Sequence, residues 1–204
     1  MKRSSDILSY WFGSLDTVHN GDIEQETISR WFAGGSEVDQ QIQAQFEDDL
    51  QRAAAGEYAG WTDTPDTMLA LIIALDQFSR NIHRGTPQAF AYDDKALEHA
   101  LDAIDVGHDR EVAPIARVFF YMPLEHAEQL GHQQRCVALM EELIDQAPDG
   151  QQELFEEFAD YARQHHDVIE RFGRFPHRNE LLGRDSTEEE LAYLESTDHA
   201  FAGG

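Results

Sequence analysis

The chain has 204 residues, of which 41% are hydrophobic and 27% are charged, a composition typical of one soluble globular domain. Its 40 acidic residues against 15 lysines and arginines give a formal net charge of −25, which argues against nucleic acid and anionic membranes as partners because both would be repelled. No apolar run is long enough to span a membrane. The chain starts with basic residues as a signal peptide does, but Asp6–Gly13, which follows, is too short and too acidic for the apolar region of a signal peptide, so we expect a cytoplasmic protein.

The predicted elements are helices from the start of the chain. Apolar residues recur every three or four positions almost throughout, which indicates amphipathic helices and an all-α fold. Ser4–Asp6 can cap a short first helix that Gly13 ends. Two further helices are predicted over residues 22–32 and 37–55, on either side of a break at Gly34–Gly35.

Two threonine–proline pairs predict the next helix starts. Thr64–Pro65 and Thr86–Pro87 each combine an N-cap with a proline at the first helical position, and they predict helices over 66–84 and 88–105. The helix over 66–84 is apolar nearly all round. We therefore expect it to be central and buried.

The second half of the chain continues the helical pattern. Its predicted helices cover residues 114–129, 132–146, 151–172 and 187–195. Ser186 and Glu189 have the spacing of a capping box at the start of the last helix, and residues 197–204 should be poorly ordered. Because the connections are short, we predict a single-domain antiparallel array of about eight to nine helices.

The first segment with unusual polar content follows the most apolar helix, in Leu75–Pro87. Asp76 and Arg80 are four residues apart and share a helical face, as do Arg80 and Arg84, and Gln77 and Asn81. A buried guanidinium needs a carboxylate or an anionic ligand beside it. Either Asp76 neutralises Arg80 while Arg84 caps the helix end, or these arginines bind an anion.

The second segment is Arg117–Glu128. Arg117, Tyr121 and Glu125 recur at four-residue intervals and are expected to share one helical face, while Pro123 should kink the helix. Glu125 and His126 are of the types that transfer protons near neutral pH. Since neighbouring helical residues point about 100° apart, we expect one of the two to face inward and the other to be exposed.

The third segment joins the helix over 151–172 to Arg171–Asn179, which is rich in arginine. The apolar stripe of that helix places His165 inward and His166 at the surface. Gly173 permits the helix to end and Pro176 prevents its resumption, so the residues that follow Gly173 should form a stiff turn.

Two roles are open for the arginines and the histidine of this turn, Arg174, His177 and Arg178. They either form an anion pocket, or hold helices together by pairing with acidic residues such as Asp76, Glu125 and Asp167. The remaining possibility is that they lie at the surface without a role.

Several functional classes lack their signatures. His-Glu-x-x-His and cysteine pairs are absent, so no metal site is predicted, and the absence of Walker and Rossmann glycine motifs predicts no such nucleotide cofactor. Cys136 is the only cysteine, which excludes an intrachain disulfide, and its apolar surroundings predict a buried, inert thiol.

Three motifs together resemble a known family. Leu75–Asn81 with Arg84–Phe90, Phe120–Glu128 and Arg171–Asn179 are similar to the motifs of the bacterial family called domain of unknown function 924, and the resemblance extends from Tyr10 to Thr187. It implies an all-helical, tetratricopeptide-like fold but supplies no activity. The stretch Asp16–Ile28 looks like a departure from the usual member.

Two functions remain open from the sequence. In the first, an Arg- and His-rich pocket binds a small phosphate- or carboxylate-bearing molecule, and possible proton-transfer groups for hydrolysis or group transfer are Glu125, His165 and His177. The candidate ligand-binding residues are Asp76, Arg80, Asn81, Arg84, Arg117, Tyr121, Arg171, Arg174, Arg178 and Asn179. In the second, the protein is a helical scaffold whose groove receives a partner peptide. An enclosed polar pocket would favour the first function, and an open apolar groove would favour the second. The sequence does not decide whether the protein is an enzyme or what its oligomeric state is.

Overall fold

The computed structural model describes residues 2–32 and 35–196, which form helices and no strand, so the predicted all-α fold is confirmed. The helices are α1 Lys2–Phe12, α2 Leu15–Asn20, α3 Gln25–Phe32, α4 Ser36–Ala54, α5 Pro65–Ile73, α6 Ser79–Ile82, α7 Asp93–Val106, α8 Pro114–Glu125, α9 Leu130–Ile144, α10 Gln152–Phe172 and α11 Glu188–Glu195. The tail predicted to be poorly ordered, 197–204, and Gly34 lie outside the described residues. The tetratricopeptide-like arrangement and the single domain stay predictions.

The N-terminal region differs from the predicted single helix over 22–32. A separate short helix, α2, precedes it, because Ser14 accepts a hydrogen bond from the backbone of Thr17 and so caps the helix start. Gly21 ends α2 with a left-handed backbone at φ 77°. A six-residue helix is too short for its apolar spacing to be recognised.

Two other helix boundaries were wrong in the prediction. Thr86–Pro87 starts a 3₁₀ turn, Pro87–Phe90, and the helix itself begins only at Asp93. Helix α8 ends at Glu125 rather than near residue 129. Both corrections matter because Asp93 and the end of α8 belong to the cavity described below.

The segment predicted as one helix over 66–84 is interrupted. Between α5 and α6 lies a π-helical turn, Ala74–Phe78, in which the hydrogen bonds span five residues instead of four. Such turns are frequent at functional sites, and this one carries Asp76 and Gln77.

The core confirms the predicted buried helix. Residues Met68–Ile73 of α5 are all at most 3% exposed. Beside them, Trp11 packs edge-on against Phe78 and Phe119, with ring centroids 5.7 and 5.6 Å away. Cys136 is buried as predicted, and burial raises the pKa of its thiol well above the ordinary value. Among the described residues, none of the helices combines the length and apolar character needed to cross a bilayer.

The cap of α11 lies one residue later than predicted. Thr187, rather than Ser186, accepts the hydrogen bond from the backbone N–H of Glu190, and the Glu190 carboxylate accepts one from the backbone N–H of Thr187. Glu190, rather than Glu189, completes the box because Arg174 holds its carboxylate in place.

Replacing Thr187 with alanine should lower the free energy of unfolding by about 1 kcal/mol, because the backbone N–H of Glu190 loses its acceptor. Urea unfolding measures the change. Thr187→Ser keeps the hydroxyl and should cost less than half as much; equal losses for the two variants would contradict the cap.

Candidate functional site

A cavity of about 280 Å³ lies among the π-helical turn, α6, α8, α10 and the segment that follows α10. Its polar lining includes Gln77, Arg80, Glu125, His126, His165 and Arg178. Its apolar lining includes Trp31, Phe32, Phe90, Val118, Met122 and Phe158. The cavity therefore joins all three polar segments of the sequence, although each contributes only some of its residues.

Asp76 is the buried anion at the centre of the polar network. Its carboxylate is 1% exposed and accepts hydrogen bonds from Arg80 Nη1 at 2.9 Å and Gln77 Nε2 at 2.6 Å, while His126 Nδ1 lies 2.8 Å away. Burial alone would raise the pKa of Asp76, but the neighbouring charge of Arg80 and the contacts with His126 outweigh it and hold the pKa well below its usual range. Asp76 is therefore ionised.

Arg80 pairs with two carboxylates. Besides the bond to Asp76, its Nη1 and Nη2 donate to the two carboxylate oxygens of Asp93, each at 3.0 Å. Such a two-pronged contact is among the strongest that an arginine forms. Nothing local in the sequence marks Asp93, which is one of two acidic residues in the first turn of α7.

Arg178 is buried but poorly paired. Its side chain is 7% exposed, and Nη1 donates to the His126 carbonyl at 3.0 Å and contacts Asp93 at 3.4 Å. The guanidinium lies over the rings of Phe90 and Phe175, 4.7 and 4.4 Å from their centroids. Within the described residues, its Nε and Nη2 form no hydrogen bond. Burial and the like charge of Arg80 lower the pKa of Arg178 to about 10.

His126 has one nitrogen fixed and the other available. Asp76 is ionised and can only accept, so His126 Nδ1 carries the proton of their 2.8 Å hydrogen bond. Burial and the charge of Arg80 lower the pKa of His126, which favours the neutral ring. Its Nε2 then carries a lone pair, and it forms no hydrogen bond with the described part of the chain. A neutral imidazole oriented by a carboxylate is a common general base.

Glu125 provides the complementary acid. Its side chain is 6% exposed, and Oε1 lies 3.4 Å from His165 Nδ1, which itself donates to the Tyr161 carbonyl at 2.9 Å. Burial and the negative charge of Asp76 raise the pKa of Glu125 to about 8, while burial lowers the pKa of His165 to about 3. At neutral pH, Glu125 is thus a carboxylic acid with a proton to donate, and His165 is neutral.

The expectation that only one of Glu125 and His126 faces inward was wrong. Both line the cavity. Since α8 ends at Glu125, the cavity lies over the helix end and receives His126 from the segment that leaves it. The inward position of His165 is confirmed, with a side chain 12% exposed.

Replacing Glu125 with glutamine should make the free energy of unfolding less dependent on pH. The folded-state pKa is raised from 4.5 to about 8, so the native protein retains a proton that the unfolded chain loses, and stability falls as pH rises towards 8. Between pH 6.5 and 8, urea unfolding of the wild type should show a decrease of up to about 1.4 kcal/mol per pH unit. Glu125→Gln should show a flatter profile; identical profiles would contradict a protonated Glu125.

Arg117 and Tyr121 lie outside the cavity lining. Tyr121 donates to Asp109 at 2.7 Å, Arg117 Nε contacts the Tyr121 hydroxyl at 3.2 Å, and Arg117 Nη1 donates to Gln146 at 2.5 Å. Burial and Asp109 raise the pKa of Tyr121. These residues connect α8 to the turn before it and to the end of α9, a structural arrangement away from the polar network.

Three more candidates from the third segment also lie outside the cavity. Arg171 pairs with Glu189 at 2.8 Å on the surface, and Arg174 pairs with the Glu190 carboxylate at 2.6 Å. These contacts fasten α11 to the end of α10, with different acidic partners from those predicted. Asn179 is buried and donates to Ser186 at 3.0 Å.

The remaining candidates lie along the cavity wall. Asn81 and Arg84 both donate to Asp39 of α4, each at 2.8 Å, so a carboxylate from a distant helix holds this part of the lining. Although burial raises it, the pKa of Asp39 is lowered overall by these two donors. His177 also lines the cavity, with its ring 5.5 Å from that of Phe175.

A possible metal-ligand group lies elsewhere. Within the described chain, His166, Asp167 and Glu170 of α10 have ligand atoms within 4.8 Å of one another. Both carboxylates are exposed to solvent, and none of the three residues lines the cavity. The polar network of the cavity instead consists of arginine–carboxylate and histidine–carboxylate pairs.

The fold and the cavity define an all-helical protein with a polar cavity lined by a protonated carboxyl group and an imidazole. The chain belongs to the DUF924 family, described as bacterial protein of unknown function, whose model matches residues 7–198. A solved structure of a protein of unknown function from Agrobacterium tumefaciens is similar, with 36% identity and a TM-score of 0.79 over 95% of this chain and 97% of that one. No match was found among curated proteins. These findings confirm the family resemblance of the sequence motifs.

Proposed function

We propose that the cavity binds a small molecule through an anionic group. The observation that carries this proposal is Arg178, a cation with a 7% exposed side chain, whose nearest carboxylate, Asp93, already accepts two bonds from Arg80. An underpaired buried charge is costly, and an anionic ligand would compensate it. Carboxylates and phosphates both match the guanidinium donors.

The size of the cavity and its convergent polar groups support a small ligand over a partner peptide. At about 30 Å³ per water molecule, the cavity of 280 Å³ has room for roughly nine waters. Polar groups from three segments converge on this space, as is typical of small-molecule sites. A peptide groove would instead present a long, open apolar surface.

The acid and base in the cavity support catalysis as part of the proposal. Glu125 would donate a proton to a leaving group, and His126 Nε2 would accept one from water or from the attacking group of the substrate. Hydrolysis or group transfer is the reaction class that uses both steps. His165 and His177 would then orient the ligand rather than transfer protons.

The test is calorimetric titration of the purified protein with small carboxylates, phosphates and sugar phosphates at pH 7. Saturable binding should occur for at least one anion and be lost in Arg178→Met. Arg171→Gln is the matched control, since Arg171 is exposed and paired with Glu189 outside the cavity. Binding that survives in Arg178→Met, or no binding by any anion, would overturn the proposal.

A further inference from the structure

We infer that the ligand is a small monocarboxylate with an aromatic or branched hydrocarbon body, bound with its carboxylate at Arg178 and its body against the apolar lining. The inference rests on the proposed anion binding and specifies the class of ligand. Three observations carry it: the apolar side of the cavity, the charge balance of its polar side, and its size.

The apolar lining of the cavity can contact a hydrocarbon group. Phe32 and Phe158 lie with ring centroids 5.7 Å apart, and Val118 and Met122 of α8 line the same cavity. Phe32 is 51% exposed and Tyr161 is 46% exposed. Large apolar side chains at a cavity lose contact with water when a ligand covers them, so a hydrophobic body gains affinity there.

The charges in the polar lining already balance before a ligand binds, so a ligand with one negative charge disturbs that balance less than a dianion would. The three lining arginines, Arg80, Arg84 and Arg178, contact three carboxylates, those of Asp76, Asp93 and Asp39. The arginine and carboxylate charges therefore balance, since Glu125 is protonated at neutral pH.

A phosphate dianion would bring two negative charges into this balanced site, whereas a carboxylate brings one. The carboxylate would accept hydrogen bonds from Arg178 Nη2, which has no acceptor within the described residues, and from the neutral carboxyl of Glu125, whose Oε1 lies 3.4 Å from His165 Nδ1. A carboxylate therefore suits these donors better than a phosphate dianion does.

The cavity volume suits a small ligand. A space of about 280 Å³ accommodates a benzene ring with its carboxylate. Benzoate is therefore a suitable probe, because it combines one ring with one planar, singly charged head group.

The experiment compares five probes by calorimetric titration at pH 7: benzoate, acetate, benzamide, phenyl phosphate and inorganic phosphate. Benzoate should bind about 10- to 100-fold more tightly than acetate, the gain expected for burying a ring. Both phosphates and the uncharged benzamide should bind more weakly than benzoate.

Two variants test the apolar contact. Phe32→Ala and Tyr161→Ala alter partly exposed side chains and should retain the fold, which circular dichroism checks. Each should lower benzoate affinity about threefold to tenfold and leave acetate affinity unchanged. Leu191→Ala, which removes an exposed apolar side chain of α11 outside the cavity, is the matched control and should bind benzoate normally.

The outcomes separate this inference from the proposed function. Equal affinity for acetate and benzoate, or tighter binding of a phosphate, would overturn the ligand class while anion binding through Arg178 stands. Benzamide binding as tightly as benzoate would overturn the role of the anionic group. If no probe binds but another anion of the wider titration does, only the ligand class is overturned.

Discussion

Asp76→Asn should lower the free energy of unfolding by about 3–5 kcal/mol, the range for breaking a buried ion pair by removing one partner. Asp76 is 1% exposed and contacts Arg80, His126 and Gln77 at once. Asparagine is nearly the same size but uncharged, so Arg80 would depend on Asp93 alone and His126 would lose its ionised partner. Urea unfolding at pH 7 measures the loss.

The control for this prediction is Asp66→Asn, which removes an exposed carboxylate paired with His19 and should change stability by at most about 0.5 kcal/mol. The pH dependence gives a second check. Because the folded-state pKa of Asp76 is lowered, its contribution is present above its ordinary value of 3.8 and is lost as pH falls. The gap between wild type and variant should therefore narrow below about pH 4; a constant gap would contradict an ionised Asp76.

Arg178→Met should weaken binding of the anionic ligand by about 30-fold or more, because truncating one partner of a buried charge pair typically costs about 2–5 kcal/mol of binding free energy. The stability of the free protein should change by less than about 1 kcal/mol. Methionine restores apolar contact with Phe90 and Phe175, and the lost cation was underpaired. Calorimetric titration and urea unfolding measure the two effects.

Arg174→Met provides the matched control from the same segment. Arg174 donates two hydrogen bonds to Glu190 and lies outside the cavity lining. Its loss should destabilise α11 while ligand affinity stays unchanged. The reverse pattern, with Arg174 needed for binding and Arg178 for stability, would mean that the cavity is not the binding site.

The helical fold was predictable because apolar spacing is a repeated, local signal. The two longest helices, α4 and α10, were predicted within one residue of their observed bounds. Helix α2 is too short to show that spacing. The π-helical turn Ala74–Phe78 was missed because one additional residue within an apolar segment hardly alters its periodicity.

The site was only partly predictable from the residues. The sequence indicated Arg178, Glu125 and His165 because arginine, histidine and proline are concentrated in their segments. Asp93 and Asp39 were missed, since among 40 acidic residues nothing local marks the ones that meet an arginine from another helix.

The four-residue spacing in α8 predicted that Arg117 and Glu125 share one helical face, and the structure differs for a geometric reason. A step of four residues advances about 40° beyond a full helical turn, so two steps separate Arg117 from Glu125 by about 80°. Arg117 consequently faces Asp109 and Gln146, whereas Glu125 faces the cavity.

The π-helical turn also bears on how this segment tolerates changes in length. Because the turn accommodates one residue beyond the α-helical repeat, removing one residue from Ala74–Phe78 would restore an ordinary α-helix without rotating the residues that follow. Asn81 and Arg84 would then stay beside Asp39, whereas Asp76 and Gln77, which lie within the turn, would shift relative to His126. A single-codon deletion here would thus disturb the polar network and leave the opposite wall of the cavity in place.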